Sequence, residues 1–241
     1  KGIAKASKKM DRNASEGLVS LSEKNGEVSI IEVNSETDFV AKNKEFISFC
    51  KEVSEINLIS KGDLEKIKNS KMKNNNSVSE NLINLISKIG EKLTIKRATY
   101  FDNNNGKNFF YTHSAIDKNL GKIVSIVKIE NNSDDQLGQK IAMHIAASSP
   151  LAIDKEGIRK EIIDKEMEII KAELLNSGKK GEMVEKISKG KINKFISDNT
   201  LLNQIWIMDP KKKVLDVLKE NKNTKDIKII NFVRYKVGEE N

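Results

Sequence analysis

The sequence predicts an α+β protein: two similar subdomains, each a small antiparallel sheet packed with helices, plus a helical hairpin inserted in the second. Three observations carry this. A β-branched run, a polar turn and an amphipathic stretch follow one another twice, from Val28 to Val53 and from Leu120 to Ser148, which reads as strand, turn and helix in duplicate. Asn25-Gly26 between two apolar runs is a strong hairpin signal. Residues 155–199 carry apolar side chains at helical spacing on both sides of a break at Gly178 to Gly181, the pattern of two antiparallel helices. The expected division is residues 1–101 for an N-terminal helix and the first subdomain, 102–154 with 200–241 for the second, and 155–199 for the hairpin.

Taken in order, Lys1 to Asn13 reads as a helix with Ile3, Ala6 and Met10 on one side. Leu18 to Ser22 and Val28 to Val33 are strands flanking the Asn-Gly turn. Phe46, Ile47, Cys50, Val53 and Ile56 recur at helical spacing after a polar turn, where Ser35, Thr37 and Asp38 are residue types that accept the free N–H groups of a first helical turn. The lysine-rich stretch from Lys61 to Asn76 is a surface excursion, mobile or helical. Val78 to Ile89 is a helix that Gly90 stops, and Glu91 to Phe101 alternates as a third strand should.

Beyond the break at Asp102 to Gly106, Phe109 to Ile116 and Leu120 to Ile129 read as strands and Gln136 to Ser148 as a helix. The narrow apolar seam of 155–199, flanked by charge, suits a protruding coiled coil, and packing on the body as ordinary core fits the same pattern. Leu202 to Met208 is strand-like, Val214 to Asn221 a short helix, and Ile229 to Val237 closes the second sheet. Trp206 reads as packed.

The chain has 241 residues and a formal net charge of +8, with 43 Lys and Arg against 35 Asp and Glu. Its length supports a substantial core. No apolar run approaches the ~20 residues of a membrane span, and no secretory leader is visible. Cys50 is the one cysteine, so no internal disulfide forms. Its place on an apolar helix face argues for a buried, inert thiol rather than a nucleophile. Arginine occurs only at positions 12, 97, 159 and 234, and the lysine runs at 61–73 and 211–213 lack the interleaved aromatics that stack bases. A solvated lysine surface is favoured, and a basic RNA-binding or ribosome-associated protein is the alternative. His144 has no Ser/Asp partner or metal-ligand spacing near it, so no catalytic residue, metal or cofactor is expected.

The most informative stretch is Glu32-Val33-Asn34-Ser35-Glu36-Thr37-Asp38-Phe39-Val40-Ala41-Lys42. Helical periodicity puts Phe39 on the face of Phe46, Cys50 and Val53, which is a core role. The eleven residues also resemble, without a break, the signature of the elongation factor Ts family of nucleotide exchange factors. The resemblance extends through Ala4 to Lys9, Arg12 to Gly17, His144 to Ser148 with Pro150, Gln204 to Pro210, and Phe232 to Glu239. The second strand-turn-helix copy has no aromatic at its turn, so such a turn does not structurally require one.

What the resemblance implies is a cytoplasmic factor of translation that promotes GDP release from the GTPase elongation factor Tu, with no covalent chemistry and no nucleotide site of its own. It implies partner contacts at Thr37, Asp38, Phe39 and Val40, at Leu120 and Gly121, at His144, and at Ile207 and Met208. Phe39 would enter an apolar pocket near the partner's Mg²⁺ site, Asp38 would fix the approach, and Leu120, Gly121 and His144 would shift a second element. Leu120 stands where the family usually has Ile. The family carries a small helical module ahead of the position of Lys1, and weaker binding is expected without it.

Overall fold

The computed structural model describes residues 11–131, 134–220 and 227–239. The helix expected over Lys1 to Asn13 falls almost wholly outside them. Strands β1 (Glu16–Lys24) and β2 (Glu27–Ser35) form a tight hairpin. Asn25 and Gly26 both have positive φ, 55° and 83°, the conformation that matches a two-residue turn to strand twist. Helices α1 (Lys44–Ser60), α2 (Leu64–Asn69) and α3 (Val78–Ile89) follow, and β3 (Leu93–Phe101) returns beside β2. Ser77 and Glu80 form a reciprocal capping box at the start of α3, and Gly90 ends it at φ 89°. The lysine-rich excursion is ordered by α2, whose Ile67 is fully buried.

Strands β4 (Lys107–His113), β5 (Leu120–Gly121) and β6 (Ile123–Glu130) come next, then α4 (Asp135–Ser148), the helix pair α5 (Lys160–Asn176) and α6 (Glu182–Asn199), α7 (Val214–Glu220) and β7 (Lys228–Lys236). All sheet pairs are antiparallel, in the orders β3-β2-β1-β5 and β4-β6-β7. The segment Leu120 to Ile129, expected as one strand, is therefore two. Leu120 and Gly121 pair with Ser20 and Val19 in the first sheet, and Ile123 onward joins the second. Leu202 to Met208 is not a strand: a short 3₁₀ turn, Leu201–Asn203, leads into a loop held by the Trp206 N–H on the Lys212 carbonyl and one bridge between Ile205 and Lys213.

Every residue of β2 after Glu27 is buried, so its two faces meet different partners. One face, with Ile31 and Val33, packs under α1 to α3 together with Phe46, Cys50, Ile67 and Leu85. The other, with Val28 and Ile30, meets Val124, Ile126 and Tyr235 of the second sheet. The far side of that sheet, through Val127 and Ile129, packs on Ile141 and Ile145 of α4. The architecture is helices, sheet, sheet, helix.

Helices α5 and α6 pack against each other over a separate core of Ile158, Ile170, Leu174, Val184, Ile192 and Ile196. Lys171 pairs with Glu185 and Lys191 with Glu173 across them, as antiparallel helices joined at their tips require. A buried ion pair between neighbouring strands of the first sheet, Glu32 of β2 and Arg97 of β3, reaches across to the second, where Arg97 Nη2 donates to the Lys236 carbonyl at 3.1 Å. Glu32 accepts from Arg97 Nε at 2.6 Å, and its other oxygen takes Asn34 Nδ2 and the Gly238 N–H, each at 2.9 Å. The Arg97 guanidinium lies 4.1 Å from the Tyr235 ring centre.

Candidate functional site

The expected helix start is not where the polar residues of the signature suggested. Val40–Lys42 forms a 3₁₀ turn, and Asn43, in extended conformation, caps α1 by accepting the N–H groups of Glu45 and Phe46. Ser35 instead donates its hydroxyl to the Thr37 carbonyl. Phe39 precedes the 3₁₀ turn, so it is not in phase with α1, and the core placement drawn from periodicity is overturned. Phe39 is 78% exposed. Val40 and Ala41 take the inward direction in its place and join the core beneath α1.

The turn carrying Phe39 is fixed from behind. Glu91, in the turn between α3 and β3, accepts the Thr37 N–H at 3.0 Å on one carboxylate oxygen and the Thr37 hydroxyl at 2.7 Å on the other. Glu36 answers by accepting the Lys92 N–H at 2.6 Å, and Arg12 lies 3.3 Å from the same carboxylate. Asp38 is exposed beside Phe39.

A second group lies on α4 and the loop after α6. His144 is fully buried, stacked on Trp206 at 5.3 Å between ring centres. Gln204 donates its side-chain N–H groups to the carbonyls of Ser148 and Asp198, at 3.0 and 2.9 Å, which leaves its oxygen facing His144 Nε2 at 3.0 Å. The network assigns a neutral imidazole with its proton on Nε2. Nδ1 is then free to accept the Ile207 N–H at 3.4 Å. Desolvation by burial lowers the His144 pKa from its ordinary value, and the Gln204 hydrogen bond opposes this. The residue thus hangs the loop that exposes Ile205, Ile207 and Met208, at 63, 40 and 44%.

Three of the expected contact residues are covered in the chain by itself: Val40 is 6% exposed, and Leu120 and His144 are at 0%. Val40 and Leu120 share the core under α1. Gly121 is buried as well, and a Cβ there would lie 2.8 Å from the His113 carbonyl and from Thr112 Cγ2, so close packing demands the glycine. Lys51 of α1 pairs with Asp117 in the preceding loop and holds its carboxyl below the usual range. The exposed set is Asp38, Phe39, Ile205, Ile207 and Met208, with Thr37 half-buried behind it.

Sequence reading missed Glu91, Gln204 and Ile205. Ile205 was legible, because a packed Trp206 turns both its neighbours outward. Glu91 was not: it stands 54 residues from Thr37 with no local pattern. Lysines of both basic runs are ion-paired, Lys66 with Asp63, Lys68 with Glu65, and Lys212 with Glu220. Burial raises the Cys50 thiol far above its usual range. Among the described residues, no group of three or more His, Cys, Asp or Glu side chains could hold a metal ion, and no helix is long and apolar enough to cross a membrane.

Fold and site together define a two-sheet α+β protein that offers apolar side chains on turns fixed from within. A model of the family described as "Elongation factor TS" matches residues 36–239. The chain is 37% identical over 246 residues to the elongation factor Ts of Rickettsia prowazekii, covering 99% of this chain and 79% of that protein. It is 36% identical over 250 residues to that of Maricaulis maris (99% and 80% covered) and 38% over 245 residues to that of Nitrobacter hamburgensis (99% and 80%). The chain belongs to the elongation factor Ts family, a family of translation elongation factors.

Proposed function

We propose that this chain binds elongation factor Tu in the cytoplasm and speeds release of its GDP by disturbing the Mg²⁺ and phosphate site. The observation that carries the reading is Phe39, a large apolar ring left 78% exposed on a turn anchored on both sides. Tight nucleotide binding by a GTPase depends on Mg²⁺ bridging phosphate and protein. A factor that prefers the Mg²⁺-free site weakens GDP, and by reciprocity GDP weakens the factor.

In this reading Thr37, Asp38 and Phe39 address the Mg²⁺ region from the first subdomain, 1–101. Ile207 and Met208 add a second contact from 102–154 with 200–241. Val40, Leu120, Gly121 and His144 act from the interior, by fixing the backbone of the contacting turns. The hairpin of 155–199 is read as the coiled-coil element of the factor. An aromatic hot spot contributes ~2–4 kcal/mol and each tenfold change takes ~1.4 kcal/mol, so Phe39 accounts for on the order of thirtyfold to a thousandfold of the acceleration.

Stopped-flow release of fluorescent GDP from elongation factor Tu tests this. Wild-type chain is expected to accelerate release, and Phe39→Ala to lose most of that acceleration while remaining folded. A folded Phe39→Ala protein that releases GDP at the wild-type rate would sink the assignment.

A further inference from the structure

We propose that Glu91 is a positioning residue for Phe39, and that its clasp on Thr37 sets the rate at which the partner's nucleotide leaves. The inference rests on the exchange function proposed above. Phe39 is 78% exposed, so what aims its ring is the backbone beneath it. On the C-terminal side that backbone is anchored by Val40 and Ala41, buried under α1, and by the Lys42 N–H on the Phe39 carbonyl at 3.1 Å. On the N-terminal side the anchor is electrostatic. Both Glu91 oxygens are engaged by Thr37, one by its N–H and one by its hydroxyl, while Glu36 takes the Lys92 N–H in return. Each turn lends a carboxylate to the backbone of the other, and Asp38 and Phe39 span the gap between the two anchors.

Hydrogen bonds to a carboxylate are stronger than neutral ones, and two on one residue fix direction as well as distance. The core under α1 does not depend on the clasp, because Val40, Ala41 and the Asn43 cap hold the helix by themselves. What the clasp adds is a ring already aimed before contact, so that less ordering is left to the complex. Glutamine at 91 can keep the Thr37 N–H on its oxygen while its amide NH₂ donates to the Thr37 hydroxyl. Glu91→Gln thus removes the charge that strengthens both bonds at almost constant shape, and Glu91→Ala removes the bonds themselves.

The test measures the maximal rate of fluorescent GDP release from elongation factor Tu, and the factor concentration giving half of it, for wild type, Glu91→Gln, Glu91→Ala, Phe39→Ala and the Glu91→Gln/Phe39→Ala double variant. Thermal unfolding midpoints report folding. Glu91→Gln is expected to lower the maximal rate by about tenfold, equivalent to about 1.4 kcal/mol, with a smaller change in half-saturation. In the Phe39→Ala background it is expected to lower the rate no further, since coupled residues are not additive. A wild-type maximal rate for folded Glu91→Gln and Glu91→Ala overturns the inference, as does full additivity in the double variant. If Phe39→Ala itself leaves release unchanged, it is the exchange reading of Phe39 that fails.

Discussion

At position 39 an apolar ring is left in water because the helix after it starts late. Burying a phenylalanine side chain stabilises a fold by ~1.5–3 kcal/mol, and here that gain is forgone. Phe39→Ala should therefore change stability to unfolding by less than ~0.5 kcal/mol, as urea titration would read, while its effect on GDP release is large. His144 is the opposite case, a polar ring with every polar atom committed inside. Its folded pKa lies below the ordinary value of 6.5, so between the two values the unfolded chain binds more protons than the folded one. Its contribution is complete above about pH 6.5 and is lost as pH falls through that value toward the folded pKa. Protonated Nδ1 would also face the Ile207 N–H as a second donor. The thermal midpoint of the wild type should drop between about pH 7.5 and about pH 5.5, and His144→Gln should show a smaller drop. An equal drop in both would assign the titration to another group.

Among the elements, those set by local chemistry were legible in the sequence. The Asn25-Gly26 hairpin, the stop at Gly90, the helices on either side of Gly178 to Gly181, and β7 all follow from turn chemistry or apolar period, which need no distant partner. Element starts were harder to read. Ser35, Thr37 and Asp38 are good capping types, yet the burial of Val40 and Ala41 bends the chain into a 3₁₀ turn first and passes the cap to Asn43. Asn43→Ala should cost about 1 kcal/mol and loosen the start of α1, seen as a lower urea midpoint and faster amide exchange at Glu45 and Phe46. Leu120 to Ile129 reads as one strand because its apolar pattern is continuous; its split at Lys122 is imposed by the edge of β1, which takes Leu120 and Gly121.

At the scale of the whole molecule the sequence spoke least, because what holds the two sheets together is assembled from residues far apart. No pattern near Glu32 announces Arg97 or Gly238, and the aim of Phe39 likewise depends on Glu91, which the fold alone brings to it. Arg97→Met would leave Glu32 buried without its counter-charge, and removing one partner of such a pair costs about 3–5 kcal/mol. Equilibrium unfolding should report that loss as one cooperative shift of both sheets rather than a separate early transition of either. The bond from the Gly238 N–H to Glu32 spans 206 residues, and this has a consequence in time. A ribosome adding about 5–20 residues per second needs on the order of ten to forty seconds to travel that interval. Val124 and Ile126 arrive before the interval is half over, but the face of β1 and β2 that carries Val19 and Ile30 waits almost to its end for Tyr235. A factor of protein synthesis thus completes its own inter-sheet seam only once β7 has left the ribosome.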